Sequence, residues 1–134
     1  MSIVLVDSSV LLDIVTNDPV WYDWSSAILA SVSAEDSLAI NPLIYAEVSS
    51  RFSTIEALNE ALPFDRYRRE ALPFEAAFLA GKAFLKYRRR GGTKTSPISD
   101  FYIGAHAAIS GFKILTRDPR RYRQYFPTVE LIAP

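Results

Sequence analysis

The 134 residues contain no cysteine and only one histidine. Without thiols, neither a disulfide framework nor a thiolate metal site is available, and nothing calls for an oxidising compartment. Long hydrophobic runs are absent as well. Ile3–Val6 follows no basic region and stops at Asp7, too short for a signal peptide or a membrane span. A soluble, cytoplasmic protein without membrane attachment is expected. Net charge is also missing, because fifteen basic residues cancel fifteen acidic ones. That balance argues against a polyanionic partner only until the charges are placed along the chain. Residues 1–62 hold nine acids and one base, Arg51, whereas residues 63–134 hold fourteen bases and six acids. Such an asymmetry suits an acidic pocket beside a basic surface, where cations are held next to a polyanion.

About half of the chain is apolar, 49%, which supplies one sizeable core, and the length fits one domain spanning 1–134. Ile3–Val6 reads as a strand buried on both faces, followed directly by Asp7. Ser8–Val15 reads as a helix, and 20–33 as a second with Trp21, Trp24, Ile28 and Val32 on one face. Ser37–Ile40 is a second strand. Pro42 is placed to start a helix over 42–51, and Ser53 with Glu56 makes a capping box for another that ends near Leu62.

Residues 62–73 carry no clear period and read as a loop. A helix over 74–88 follows, with Phe74, Ala77, Phe78, Gly81 and Leu85 on one side and Lys82, Lys86 and Arg89 on the other. Residues 90–97, with Gly91 and Gly92, read as an exposed loop. Ile98–Ser110 reads as a helix with Phe101, Ala105, Ala108 and Ile109 inward, stopped by Gly111. Short strands over 113–116 and 129–132 flank a turn or helix over 119–126. Strands alternating with helices predict an α/β sandwich with a mainly parallel sheet, whose site lies beyond the carboxyl ends of the strands. Asp7 and Asp118 both follow strands there.

Four acids are candidates, and each has an ordinary explanation. Asp7 stands where a helix cap is favoured, as do Ser8 and Ser9. Glu47 lies in an apolar helical stretch, where a glutamate commonly faces solvent. Asp100 opens a helix and offsets its dipole. Gly104 and Ala107 follow on its face, leaving room for a metal or for close helix packing. Asp118-Pro119 resembles a cap with proline at the first helical position. The conjunction is the functional signal: the topology brings four sequence-distant acids to one sheet edge, where they repel unless neutralised. Carboxylates without Cys or His suit Mg2+ or Mn2+, and phosphodiester hydrolysis uses such ions.

These residues resemble the PIN-domain ribonucleases, and within them the VapC-type toxins of bacterial and archaeal toxin–antitoxin pairs. The resemblance spans nearly the whole chain. It rests on Val4-Leu5-Val6-Asp7-Ser8-Ser9-Val10-Leu11-Leu12-Asp13, on Ala46-Glu47-Val48, on Ile98-Ser99-Asp100-Phe101-Tyr102-Ile103-Gly104-Ala105-His106-Ala107, and on Ile114-Leu115-Thr116-Arg117-Asp118. It implies a three-layer PIN-like sandwich with Asp7, Glu47, Asp100 and Asp118 as the catalytic, metal-holding acids. Ser9 and Thr116 match its supporting hydroxyl positions. The implied activity is an endoribonuclease dependent on Mg2+ or Mn2+, with water as nucleophile, leaving 5′-phosphate and 3′-hydroxyl ends. A VapB-like antitoxin and a homodimer are the implied protein partners. Trp21-Tyr22-Asp23-Trp24 and residues 52–62 are where antitoxin contact is expected.

Two basic groups fit a grip on the RNA backbone: a stretch with Arg66, Arg68, Arg69, Lys82, Lys86, Arg88, Arg89, Arg90 and Lys94, and a cluster at Arg117, Arg120, Arg121 and Arg123. The second adjoins Asp118 and is favoured, with Arg117, Arg120 and Arg121 as the RNA contacts. His106 lies on another helical face from Asp100 and reads as structural. An Asp-x-Asp phosphatase is disfavoured by Ser9 in the place of the second acid, and a phospho-acceptor receiver domain by the absence of a lysine at 116–118. A PIN-like binding module without catalysis is the alternative from another class.

Overall fold

In the computed structural model, which describes residues 2–92 and 98–134, five strands form one sheet in the order β3-β2-β1-β4-β5. They are β1 (Ile3–Val6), β2 (Ser37–Ile40), β3 (Tyr67–Arg69), β4 (Lys113–Leu115) and β5 (Leu131–Ile132). All four pairings are parallel. Parallel neighbours need crossovers, and seven helices supply them: α1 (Ser8–Val15), α2 (Tyr22–Ser33), α3 (Pro42–Ser49), α4 (Ile55–Ala61), α5 (Phe74–Arg89), α6 (Ile98–Ser110) and α7 (Arg120–Tyr125). From β1 the chain moves outward through β2 to β3, then returns across the sheet to β4 and β5. Right-handed crossovers running in opposite directions put helices on both faces, which gives the expected three-layer α/β sandwich. The sheet is wholly rather than mainly parallel.

The core follows from the central strands, where Val4, Leu5, Val6, Ala39, Ile114 and Leu115 are completely buried. A strand covered on both faces must be apolar throughout, which is the pattern of Ile3–Val6. Asn41 turns the end of β2 into α3: its side-chain oxygen accepts the Ile44 N–H at 3.0 Å, and Pro42 occupies the first turn. That cap fixes the rest of the amide. Its Nδ2 lies 3.1 Å from Nδ1 of His106, which therefore accepts and leaves the ring proton on Nε2. Buried, and edge-on to Phe112, His106 is structural, and burial lowers its pKa.

Several expectations change. β3 falls inside the segment read as a loop; only Tyr67 of its three residues is buried, so neither length nor alternation signals it. The cap of α4 is Thr54, which accepts the Ala57 N–H, and not Ser53. α5 turns a different face inward: Ala76, Ala80 and Ala83 are buried, whereas Phe74 and Phe78 are 90% and 69% exposed. Alanines let α5 approach α6 closely, and larger side chains would hold the helices apart. Ile109 of α6 is exposed, and Gly104 is buried against the ring of Phe126, where an added Cβ would stand 2.3 Å from a ring carbon. Gly104 thus serves close packing and not a metal cavity. Gly111, with φ +72°, ends α6 in the left-handed conformation and the Phe112 N–H closes onto the Ala107 carbonyl. Lys94 and most of the 90–97 loop lie outside the described residues.

Candidate active site

The chain leaves β1 in opposite directions on its two sides, so a crevice opens between the carboxyl ends of β1 and β4. Register puts Val6 beside Leu115, and the Asp7 N–H continues the ladder onto the Leu115 carbonyl at 2.9 Å. The next residue of each strand then meets the other: Thr116 Oγ1 donates to Asp7 Oδ2 at 2.8 Å, and Ser9 Oγ donates to the same oxygen at 3.1 Å. Asp7 occupies the cap position of α1 but makes no capping bond. Its side chain is instead held with both donors on Oδ2. Thr116 Oγ1 also accepts the Asp118 N–H at 3.1 Å, which ties the backbone of the fourth acid to the first.

Glu47, on α3, accepts from Ser8 Oγ at 3.0 Å and is half-buried. Asp100, in the first turn of α6, is paired with Arg121 at 3.1 Å, and Asp118 with Arg120 at 3.3 Å. α7 begins at Arg120 with Pro119 at its cap position, so Asp118 is not the cap its sequence resembled. Asp118 and Asp100, with Arg120, Arg121 and Gln124, line a cavity of about 340 Å3 at this end of the sheet.

Electrostatics bind these groups into one site. Burial raises the Asp7 pKa from 3.8 to about 6; the Thr116 and Ser9 bonds pull it down, and the charges of Asp100 and Glu47 push it up. Glu47 is raised chiefly by burial against the pull of the Ser8 and Ser99 hydroxyls, with Asp100 adding to the rise. Asp100 is raised by burial, lowered by Arg121 and raised again by Asp118. Asp7, Glu47 and Asp100 therefore each feel at least one other acid.

Arg117 belongs to a different structure. Its Nε reaches both oxygens of Asp13, at 2.8 and 3.0 Å, and Asp13, 2% exposed, also accepts from Ser25 Oγ at 2.8 Å. Its guanidinium lies 5.6 Å from the Trp21 ring centroid, and Trp21 meets Trp24 edge-on. This charge is committed to joining α1, α2 and the end of β4. Arg120 is the most open of the three expected RNA contacts. In the proposed antitoxin region, Leu58 and Leu62 belong to the core and Trp24 and Phe52 pack against it, leaving Tyr22 and Ile55 exposed. Ser8, Ser99 and Tyr122 join the site without a signal in the sequence. Serines beside an acid are too common to signal a role, and Tyr122 sits among arginines in an unremarkable helical turn.

An all-oxygen set of carboxylates fits a hard divalent cation. Asp7 Oδ1 is free of the donors that hold Oδ2, and the raised acids gain by meeting positive charge. Among the described residues no three acidic or histidine side chains stand close enough to enclose an ion. Mg2+ does not require it, because it is commonly held by one or two carboxylates with water completing the shell.

The sequence matches the PIN domain family over residues 4–127. Among solved structures, a chain of VapBC2 from Rickettsia felis, crystallised with a promoter DNA fragment, superposes with TM-score 0.74 at 16% identity, covering 98% of each chain. A chain of VapBC-1 from nontypeable Haemophilus influenzae gives 0.73 at 17%, covering 98% of this chain and 97% of the other. VapC20 of Mycobacterium tuberculosis, a toxin that cleaves the sarcin-ricin loop, gives 0.65 at 15%, covering 90% and 94%. No curated protein matches. This chain belongs to the PIN domain family, and its fold is the one these toxin–antitoxin structures contain. No helix among the described residues is long and apolar enough to cross a membrane.

Proposed function

We propose that this single PIN domain is a cytoplasmic, metal-dependent endoribonuclease, the toxin of a toxin–antitoxin pair. The observation that carries the reading is the Asp7 carboxylate: buried at the switch point, raised to about 6 and coupled to Asp100 and Glu47. Asp7 and Asp100 would hold Mg2+ or Mn2+, with Glu47 and Asp118 as the further carboxylates of the site. Such a cation supplies an activated water at neutral pH and offsets charge on the phosphorane and the leaving oxygen.

The chain's own residues orient the reaction. Ser9 and Thr116 fix Asp7, and Ser8 fixes Glu47 so that it can orient the attacking water and accept its proton. Water attacks phosphorus and gives its proton to Glu47, the bond to the 3′ oxygen breaks, and that oxygen takes a proton from solvent, leaving 5′-phosphate and 3′-hydroxyl ends. Arg120 and Arg121 grip the RNA backbone, with Arg117 bracing the strand end that carries Asp118. The exposed Phe74, Phe78 and Leu85 on α5 support a protein partner, a second copy or a VapB-like antitoxin. The fold shared with VapBC and VapC20 chains supports the assignment to toxins.

The test is purified protein, free of antitoxin, incubated with total RNA and Mg2+ or Mn2+, beside EDTA and Asp7→Asn and Asp100→Asn controls. Discrete cleavage that needs metal and both acids is expected. Folded protein that neither cleaves RNA nor binds Mn2+ overturns the reading in favour of a binding module.

A further inference from the structure

Tyr122 is the largest completely buried side chain among the described residues, and it stands on α7, the helix that follows Asp118. Its ring belongs in the core, but its hydroxyl is buried without a hydrogen-bond partner. The charges of Asp7, Asp100 and Glu47 all act on it, and Asp7 acts on its proton as an acceptor does. The two groups nevertheless do not reach hydrogen-bond geometry, so the hydroxyl is unpartnered while standing close enough to the acids to feel their charges. Leaving a buried hydroxyl unmatched is costly, so a structure that retains one calls for a reason. Phenylalanine has the same ring without that cost.

The donors around Asp7 supply the reason. Ser9 and Thr116 both give their protons to Oδ2, so neither is available to Oδ1 or to anything bound beside it. Tyr122 brings a third proton, and burial together with the nearby negative charges keeps it on the oxygen as a donor. We infer that Tyr122 is a positioning residue of the metal site: when a divalent cation is bound, its hydroxyl donates to a water held against Asp7 and fixes that water and the free carboxylate oxygen. The inference rests on the metal-site reading above. Donors one step removed from a metal orient its ligands, and their loss commonly weakens metal binding by about 10–100-fold.

Tyr122→Phe separates this role from a structural one by sign. Mn2+ affinity is measured by titration calorimetry on wild type, Tyr122→Phe and Asp7→Asn, with thermal unfolding of each in EDTA. The expected result is that Tyr122→Phe unfolds in EDTA no earlier than wild type, because an unmatched hydroxyl has been removed, yet binds Mn2+ on the order of tenfold more weakly. Unchanged Mn2+ affinity overturns the inference, as does earlier unfolding in EDTA, which would reveal a partner within the protein. If phenylalanine prevents folding, wild type labelled with 3-fluorotyrosine decides. Of its seven tyrosines, the one most broadened by Mn2+ must also shift with Mg2+, and no shift overturns the proposal. Wild type that binds no Mn2+ fells the metal site itself; wild-type binding abolished by Asp7→Asn but untouched by Tyr122→Phe fells only the role of Tyr122.

Discussion

Asp7→Asn should make the metal-free protein more stable while destroying its activity. The carboxyl titrates near 3.8 when unperturbed and near 6 in the fold, so the folded chain binds its proton more tightly than the unfolded chain. The fold is then disfavoured wherever Asp7 is ionised. The penalty is absent below about pH 3.8, grows as pH rises and is complete above about 6, where two pKa units amount to about 3 kcal/mol. Asparagine removes the charge and keeps the architecture. Both donors, Ser9 and Thr116, address the same oxygen, and an amide oxygen accepts both. At pH 8 in EDTA the variant should gain up to about 3 kcal/mol, roughly 10 °C in unfolding midpoint for a chain of this length. The gap should close between pH 7 and pH 4. Mn2+ should reverse the order at pH 8, because it stabilises only the carboxylate form. Urea denaturation across pH measures all three effects. An Asp7→Asn protein that is no more stable at pH 8, with a gap flat down to pH 4, would refute the burial argument.

Three further perturbations test the frame around the site. Arg117→Met leaves the Asp13 carboxylate buried with Ser25 as its remaining side-chain donor and should cost about 3–5 kcal/mol in urea denaturation; a loss below about 1 kcal/mol would show that the pair is not structural. Gly104→Ala puts a methyl group against the Phe126 ring and should cost about 1–3 kcal/mol, recovered in part when Phe126 is shortened to leucine. Equal stability of the single variant would show that the ring yields freely. Arg120→Ala, at an exposed ion pair, should change stability by less than about 1 kcal/mol yet flatten the salt dependence of RNA binding by about 0.7 in logarithmic slope, one single-strand phosphate contact. An unchanged slope would place the RNA elsewhere.

The elements nearest the site were the most legible in the sequence, for a physical reason. β1, α1 and β2 fall at the residues expected, because strands covered on both faces cannot hide their composition and a polar residue must end them. β3 escaped notice because an edge strand of three residues, two of them arginine, is defined by its pairing with β2 and not by its own pattern. The buried face of α5 was misread for a related reason. Two stripes share its helical period, and size favoured the aromatic one, whereas close approach to α6 requires the alanines. Position along the chain brought Asp7 and Asp118 to the sheet edge. What lay outside it was which hydroxyls hold which acid, since that depends on registers across the sheet.

Asp13 shows what a purely structural acid looks like in this protein, and the contrast bears on the four candidates. It is as thoroughly buried as Asp7, and a guanidinium meets both of its oxygens. Of the other arginines near the candidate acids, half-buried Arg121 pairs with Asp100 and exposed Arg120 with Asp118. Asp7 and Glu47 are instead met by neutral hydroxyls from Ser9, Thr116 and Ser8. Hydroxyls orient a carboxylate without cancelling its charge. Where the fold needs to silence a buried acid it supplies an arginine, and around Asp7 and Glu47 it supplies orientation instead, leaving their charges undercompensated. On the metal-site proposal a divalent cation supplies the compensation, and an all-oxygen site that holds its acids in place before the ligand arrives is the arrangement a hard cation favours.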